Sequence, residues 1–313
     1  MTRIPRTDLD VFPLNLGGNT FGWTSGPDAS FAVLDAFAEA GGNLVDTADS
    51  YSAWVEGHAG GESETVLGEW MAARGNRDDV VVATKVGAHP QHRGLARENV
   101  VAALEDSLRR LRTDRVELFY AHYDDEAVPV AEQAAVFDEL VRSGKARAVG
   151  LSNHSPERMR EWFETARREN LAVPVAIQPE YNLVARRSFE QDYAPIARAH
   201  DAAVLPYSGL ASGFLAGKYR TPADLEGRAR GGAAEAHLDE QGLAVVDALV
   251  AVADARGTEP ATVALAWLLA RGVTAPIASA STPGQVPALM AAPGLALTDE
   301  EVSALDRASQ PFA

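Results

Sequence analysis

The chain alternates between short apolar runs and longer stretches of helical spacing, and it does so eight times. The apolar runs are Leu14 to Leu16, Leu44–Val45, Val80 to Val86, Val116 to Ala121, Ala146 to Leu151, Val173 to Ile177, Ala203 to Pro206 and Thr274 to Ala278. The helical stretches between them are Ala29 to Ala40, Ser63 to Arg74, Arg97 to Leu111, Val130 to Ser143, Pro156 to Glu169 and Asp192 to His200. Leu243 to Ala255 and Pro260 to Ala270 then precede the last run, and Pro283 to Ala291 and Asp299 to Ala308 close the chain. Apolar runs without polar alternation are what a parallel sheet covered on both faces requires. Eight such units in 313 residues fit a closed (β/α)8 barrel, with an open doubly wound sheet as the alternative. Arg3 to Leu14 adds two short strands around Thr7-Asp8-Leu9-Asp10, a hairpin ahead of the main fold.

No linker or shift in composition interrupts the alternation, so residues 1–313 are expected to form one domain. The formal charge of −16 argues against a nucleic-acid surface, which needs a basic face. It also means that an anionic ligand must be met by locally placed cations. The absence of cysteine removes disulfides, thiolate metal sites and cysteine nucleophiles. Met1 to Arg6 has no apolar segment behind it, and Leu243 to Ala255 is short and broken by Asp247 and Asp254. A soluble cytoplasmic protein without membrane partners is expected. Seven histidines are present, but none has the paired spacing of a metal site at strand ends.

In a barrel of this kind chemistry sits at the C-terminal ends of the strands. The second strand ends at Asp46, the third runs into Lys85, the fourth into His122, and the loop after the second carries Tyr51. Each residue taken singly has an ordinary explanation: a solvated lysine, a structural histidine, a turn-capping aspartate. Their position at three neighbouring strand ends points instead to joint action. Tyrosine is a poor acid, with a reference pKa of about 10. A nearby ammonium favours phenolate and lowers the barrier to proton donation. Asp46 can keep Lys85 charged, and His122 can hydrogen-bond a carbonyl oxygen beside Tyr51. Such a group can polarise and protonate a carbonyl while hydride reaches its carbon from a nicotinamide.

The sequence resembles the aldo-keto reductases over essentially its whole length, in particular the long-chain bacterial type related to potassium-channel β subunits and sugar-carbonyl reductases. The matching motifs are Asn43-Leu44-Val45-Asp46-Thr47-Ala48 with Tyr51, Ala83-Thr84-Lys85, Ala121-His122, Gly150-Leu151-Ser152-Asn153, and Pro206-Tyr207-Ser208 running into Gly217-Lys218-Tyr219. The resemblance implies that Asp46, Tyr51, Lys85 and His122 form a catalytic tetrad with Tyr51 as the acid. It implies an NADPH site, with NADH as the alternative. Ser152, Asn153 and Gln178 would hold the carboxamide, and Tyr207 would stack on the nicotinamide. Ser208, Gly209, Leu210, Ala211 and Ser212, with Lys218 and Arg228, would hold the pyrophosphate. Gly18, Asn19, Asp46, Ser279, Ser281 and Gln285 complete the implied cofactor contacts.

The strand-eight loop, Ser279 to Gln285, lacks the basic residue that many relatives place against a 2′-phosphate. Ala288 and Leu289 stand where relatives often have Glu and Asn against the adenine. Trp23, Trp54 and Tyr123 are expected to wall the pocket for a small carbonyl substrate. A nicotinamide-binding regulatory module of the potassium-channel β-subunit type is the alternative, and the full tetrad favours an enzyme. Substrate, direction of reaction and oligomeric state are left open.

Overall fold

A computed structural model describes residues 1–313. The hairpin β1 (Thr2–Arg3) and β2 (Asp10–Val11) comes first, followed by β3 (Asn15–Gly17), α1 (Pro27–Glu39), β4 (Leu44–Asp46), α2 (Glu62–Arg74) and β5 (Val81–Val86). A second small hairpin, β6 (Ala88–His89) and β7 (His92–Arg93), leads to α3 (Arg97–Leu111) and β8 (Val116–Ala121). Then come α4 (Val130–Arg142), β9 (Ala146–Ser152), α5 (Pro156–Arg168), β10 (Ala176–Gln178), α6 (Ala194–His200) and β11 (Ala203–Val204). The short α7 (Gly231–Glu235), α8 (Glu240–Arg256), α9 (Pro260–Ala270), β12 (Ile277–Ala278), α10 (Val286–Met290) and α11 (Asp299–Ala308) complete the chain. No helix is long and apolar enough to cross a membrane.

Eight strands lie parallel and in chain order, and β12 pairs with β3. The remaining seam, between β11 and β12, is bridged by the Thr274 N–H to the Val204 carbonyl (3.0 Å) and the Ile277 N–H to the Pro206 carbonyl (2.9 Å). The sheet therefore closes on itself. This is the (β/α)8 barrel that the alternation implied, and the open sheet is excluded.

The strands are largely apolar because they serve two cores. Along a strand successive side chains point to opposite faces. Val82 and Val86 of β5 join the large cluster between sheet and helices, while Val81 and Ala83 join a second cluster of 14 residues inside the barrel. Leu44, Leu118, Tyr120, Ala148, Ala176 and Ala203 lie in that inner cluster, and Ile4, Leu9 and Val11 of the N-terminal segment join it.

Differences from the expected boundaries have a common cause. The last three strands are shorter than their apolar runs, and each run holds a proline: Pro174, Pro206 and Pro276. Proline has no N–H to give to a ladder, so regular pairing lapses around it. The stretch expected as a helix from Asp192 begins instead as a π turn over Phe189–Tyr193, and Pro283 to Ala291 divides into a 3-10 turn and α10. The hairpin of β6 and β7 was not expected, since two-residue strands leave no periodic signal.

Gly150 on β9 lies against the ring of Tyr120 on β8, so closely that an added Cβ would overlap that ring. Tyr120 is fully buried and has no room to retreat. We therefore expect Gly150→Ala to destabilise the barrel by about 1–3 kcal/mol, as overpacking does. A urea midpoint unchanged from that of the parent protein would contradict this packing.

Candidate active site

The two-residue period that points Val81 and Ala83 into the barrel brings Lys85 inward at the upper end of β5. The same step leads from Leu44 to Asp46, from Tyr120 to His122 and from Ala176 to Gln178. The inner face of the sheet is apolar below and polar in its top layer. Asp46 and Lys85 are almost fully buried there, at 1% and 0% side-chain exposure, with Lys85 Nζ 2.6 Å from Asp46 Oδ2.

The ammonium uses all three of its N–H groups. It donates to Asp46, to the Thr47 carbonyl (2.8 Å) and to the Tyr51 hydroxyl (2.8 Å). Tyr51 donates in turn to Asp46 Oδ2 at 3.0 Å. Gln178 donates to the other carboxylate oxygen at 2.8 Å. Asp46 thus holds Lys85 and also bonds Tyr51 directly, a contact not expected from the sequence.

The electrostatics of Tyr51 differ from the expectation as well. Burial, followed by the Asp46 carboxylate, raises the phenol well above its ordinary pKa, although Lys85 touches it. Burial also lowers the Lys85 ammonium, and Asp46 opposes that shift. Tyr51 is therefore held as a phenol with its proton in place. His122, 9% exposed, is driven well below the usual histidine range by burial and then by Lys85, so it is a neutral imidazole. Its ring lies 6.2 Å from that of Tyr51, centre to centre, and its Nδ1 has no hydrogen-bond partner.

Above this layer opens a cavity of about 500 Å³. Tyr51 and His122 line its floor with Ser152, Asn153, Gln178 and Tyr207. These form a continuous network. The Ser152 hydroxyl donates to the Gln178 carbonyl (2.9 Å), Asn153 Nδ2 to the His122 carbonyl (2.9 Å), and the Tyr207 hydroxyl to Asn153 Oδ1 (3.1 Å). Asn19, Ser208, Gly209, Leu210, Ser212, Lys218, Ser279 and Gln285 line the cavity as well. Asn19 Oδ1 accepts from the Ser279 hydroxyl at 2.6 Å, joining the two loops across the β12–β3 seam.

Several expected residues lie elsewhere. Gly18 is buried outside the lining, its carbonyl accepting from the Ser63 hydroxyl (2.7 Å), and Gly17 takes its place in the lining. Ala211 is buried, and Ser281 bonds to Gln285 through its N–H rather than lining the cavity. Arg228 is exposed outside the lining, and Arg230 is the arginine that enters it. The two alternate along an irregular segment, so their spacing gave no means of choosing between them.

Gly213, Ala216, Glu259, Ala261 and Gly284 also line the cavity and were not anticipated. Gly213 and Ala216 continue the small-residue loop that was recognised. Glu259 and Ala261 belong to the start of α9, and nothing local in the sequence marks that helix end as part of the wall. Trp54 and Tyr123 stand at the mouth, 53% and 51% exposed. Trp23 supports Trp54 from behind in an edge-to-face contact (5.4 Å, 86°) without lining the cavity itself.

The far end of the cavity is built for an anion. Ser208, Ala211, Ser212 and Gly213 all have positive φ, between 45° and 92°. Lys218 rests over the Tyr219 ring at 4.9 Å, and burial works against the charge on Arg230 with no carboxylate to offset it. Two cations without acidic partners face one cavity in a protein of net charge −16. A bound pyrophosphate would satisfy both.

The model of the aldo/keto reductase family matches residues 13–310. Norsolorinic acid reductase B of Aspergillus parasiticus is 32% identical, over 97% of this chain and 82% of its own length. Aldo-keto reductase YhdN of Bacillus subtilis is 32% identical, over 96% and 90%. A protein named "Probable voltage-gated potassium channel subunit beta", from Oryza sativa subsp. japonica, is 34% identical, over 84% and 81%. The chain belongs to the aldo/keto reductase family, whose members are NAD(P)H-dependent carbonyl oxidoreductases.

Proposed function

We propose that this protein is a single-domain cytoplasmic enzyme that reduces an aldehyde, ketone or sugar-type carbonyl with NADPH. The observation that carries this reading is the hydrogen-bonded trio of Asp46, Lys85 and Tyr51 at the floor of a cavity whose far end presents two uncompensated cations. When bound, NADPH supplies the hydride. Every other role falls to the protein. Ser152, Asn153 and Gln178 hold the carboxamide, and Tyr207 backs the ring. The loop from Ser208 to Gly213 holds the pyrophosphate with Lys218 and Arg230. Gln285 and the serines beside it complete the nucleotide end, where Ala288 and Leu289 give the adenine an aliphatic wall.

His122, as a neutral imidazole, donates one hydrogen bond to the substrate carbonyl oxygen and fixes it beside Tyr51. Tyr51 releases its proton to that oxygen as hydride arrives on carbon. Lys85 is already bonded to the hydroxyl and stabilises the charge that develops there. A phenol with a raised pKa keeps its proton until that moment, so the donor is always loaded. Trp54 and Tyr123 give the substrate an open aromatic entrance, suited to varied carbonyl compounds.

Tyr51→Phe should lower turnover by roughly 10²–10⁴-fold while NADPH still binds, and an unchanged rate would remove Tyr51 as the acid. Consumption of NADPH with a panel of aldehydes and ketones tests the activity itself. Cofactor binding without turnover on any of them would point to a regulatory module like the channel β subunits. In fluorescence titrations Arg230→Ala should weaken NADPH by about tenfold, and equal losses in Arg228→Ala would restore that residue to the site. His122 should show no titration between about pH 6 and 8 by NMR, since its folded pKa lies below the unperturbed value. A midpoint near 6.5 would refute the neutral imidazole.

A further inference from the structure

The buried carboxyl of Asp49 takes no part in the chemistry described so far. It lies between Asp46 and Tyr51 in the chain, is 0% exposed, and neither of its oxygens has a hydrogen-bond partner. Its amide bonds to the Lys85 carbonyl at 3.3 Å, so the loop carrying Tyr51 and the strand end carrying Lys85 are joined at this residue.

The charged groups packed around it are Glu64 from α2, Arg110 from α3 and Lys85 from β5. Glu64 is also fully buried, yet it has the partners that Asp49 lacks: the Thr84 hydroxyl (2.5 Å) and Arg110 Nε (2.7 Å). Arg110 is thereby committed to Glu64, with a weaker bond to Ser107 at 3.3 Å. Lys85 has spent its three N–H groups on Asp46, Thr47 and Tyr51. None of these side chains donates a hydrogen bond to Asp49. Ionised, it would be a buried charge with neither partner nor solvent, which proteins avoid by keeping the group neutral.

We propose that Asp49 is a positioning residue, held as a neutral carboxylic acid behind the Lys85–Tyr51 contact. Its neutrality leaves Asp46 as the one anion bonded to that contact, because the charge of Glu64 is met by Arg110. Burial first, and Glu64 second, push the Asp49 carboxyl up to about 8, against Arg110, the nearby Ser50 amide and Lys85. The group is protonated below that pH and ionises above it. Ionisation adds a second negative charge near Lys85, offsetting the ammonium that stabilises charge on the Tyr51 oxygen, so proton release to substrate becomes harder and reduction slows.

The inference rests on Tyr51 acting as the acid, and its test separates the two readings. Infrared spectroscopy of the full-length protein should show a protonated carboxyl band at pH 7 that shifts on carbon-13 labelling of aspartate. The band should disappear as the pH rises through about 8. It needs neither turnover nor a variant, so absence of an aspartate band at pH 7 overturns the proposal whatever the activity. Asp49→Asn should remove the band, keep kcat at pH 7 within about twofold, and lack the alkaline fall of the wild type. The same fall in the variant, or a loss beyond about tenfold at pH 7 with NADPH still bound, would also overturn it. Glu64→Gln frees Arg110 to pair with Asp49, and the band should then be gone at pH 7. A band unchanged in that variant counts against the proposal.

Discussion

The ion pair between Lys85 and Asp46 is the interaction on which the rest of the site depends. Two charges held almost completely out of water are costly, and their mutual attraction repays that cost only if the remaining donors and acceptors are satisfied. Here they are. The Thr47 carbonyl and the Tyr51 hydroxyl take the other two ammonium protons, and Gln178 takes the second carboxylate oxygen. The pair and its partners come from β4 and the loop after it, from β5 and from β10, so forming the pair assembles the floor of the cavity. Tyr51 is placed by this requirement as much as by its own loop.

Charge is managed by position rather than by total. The protein carries −16, and its exposed arginines are largely engaged by carboxylates, as in the pairs Arg74–Asp35, Arg97–Glu139 and Arg256–Glu301. Lys218 and Arg230 are left without such partners in the lining of the cavity. An acidic protein thereby presents a local cationic recess to an anionic cofactor. Below the floor the same economy applies to Glu64, whose charge is matched by Arg110, while Asp49 has no match.

Much of the fold was legible because the barrel needs strands apolar on both faces, and eight such runs are hard to hide. The polar strand ends were legible for a related reason. Asp46, Lys85 and His122 interrupt apolar runs at a fixed place, where a residue belonging to either core would be apolar. What failed to show was non-local. Arg230 rather than Arg228 enters the cavity, and the choice depends on the backbone path of an irregular segment. Glu259 joins the wall because α9 starts beside the loop after β11, a proximity with no local trace. Ser281 and Ala211 sit in the right loops but turn away from the cavity, since a loop residue's direction follows φ and ψ rather than its chemistry.

The sequence by itself determined the barrel, the order of its strands and the identity of the groups at their ends. Periodicity and residue type are local properties, and they survive in a linear reading. Only the tertiary structure decided how those groups act on one another. It placed Tyr51 between Lys85 and Asp46, made His122 neutral, and left Asp49 buried without a side-chain partner. Those outcomes depend on distances of a few ångströms and on exclusion of water, which arise only when strands far apart in the chain meet at one end of the barrel.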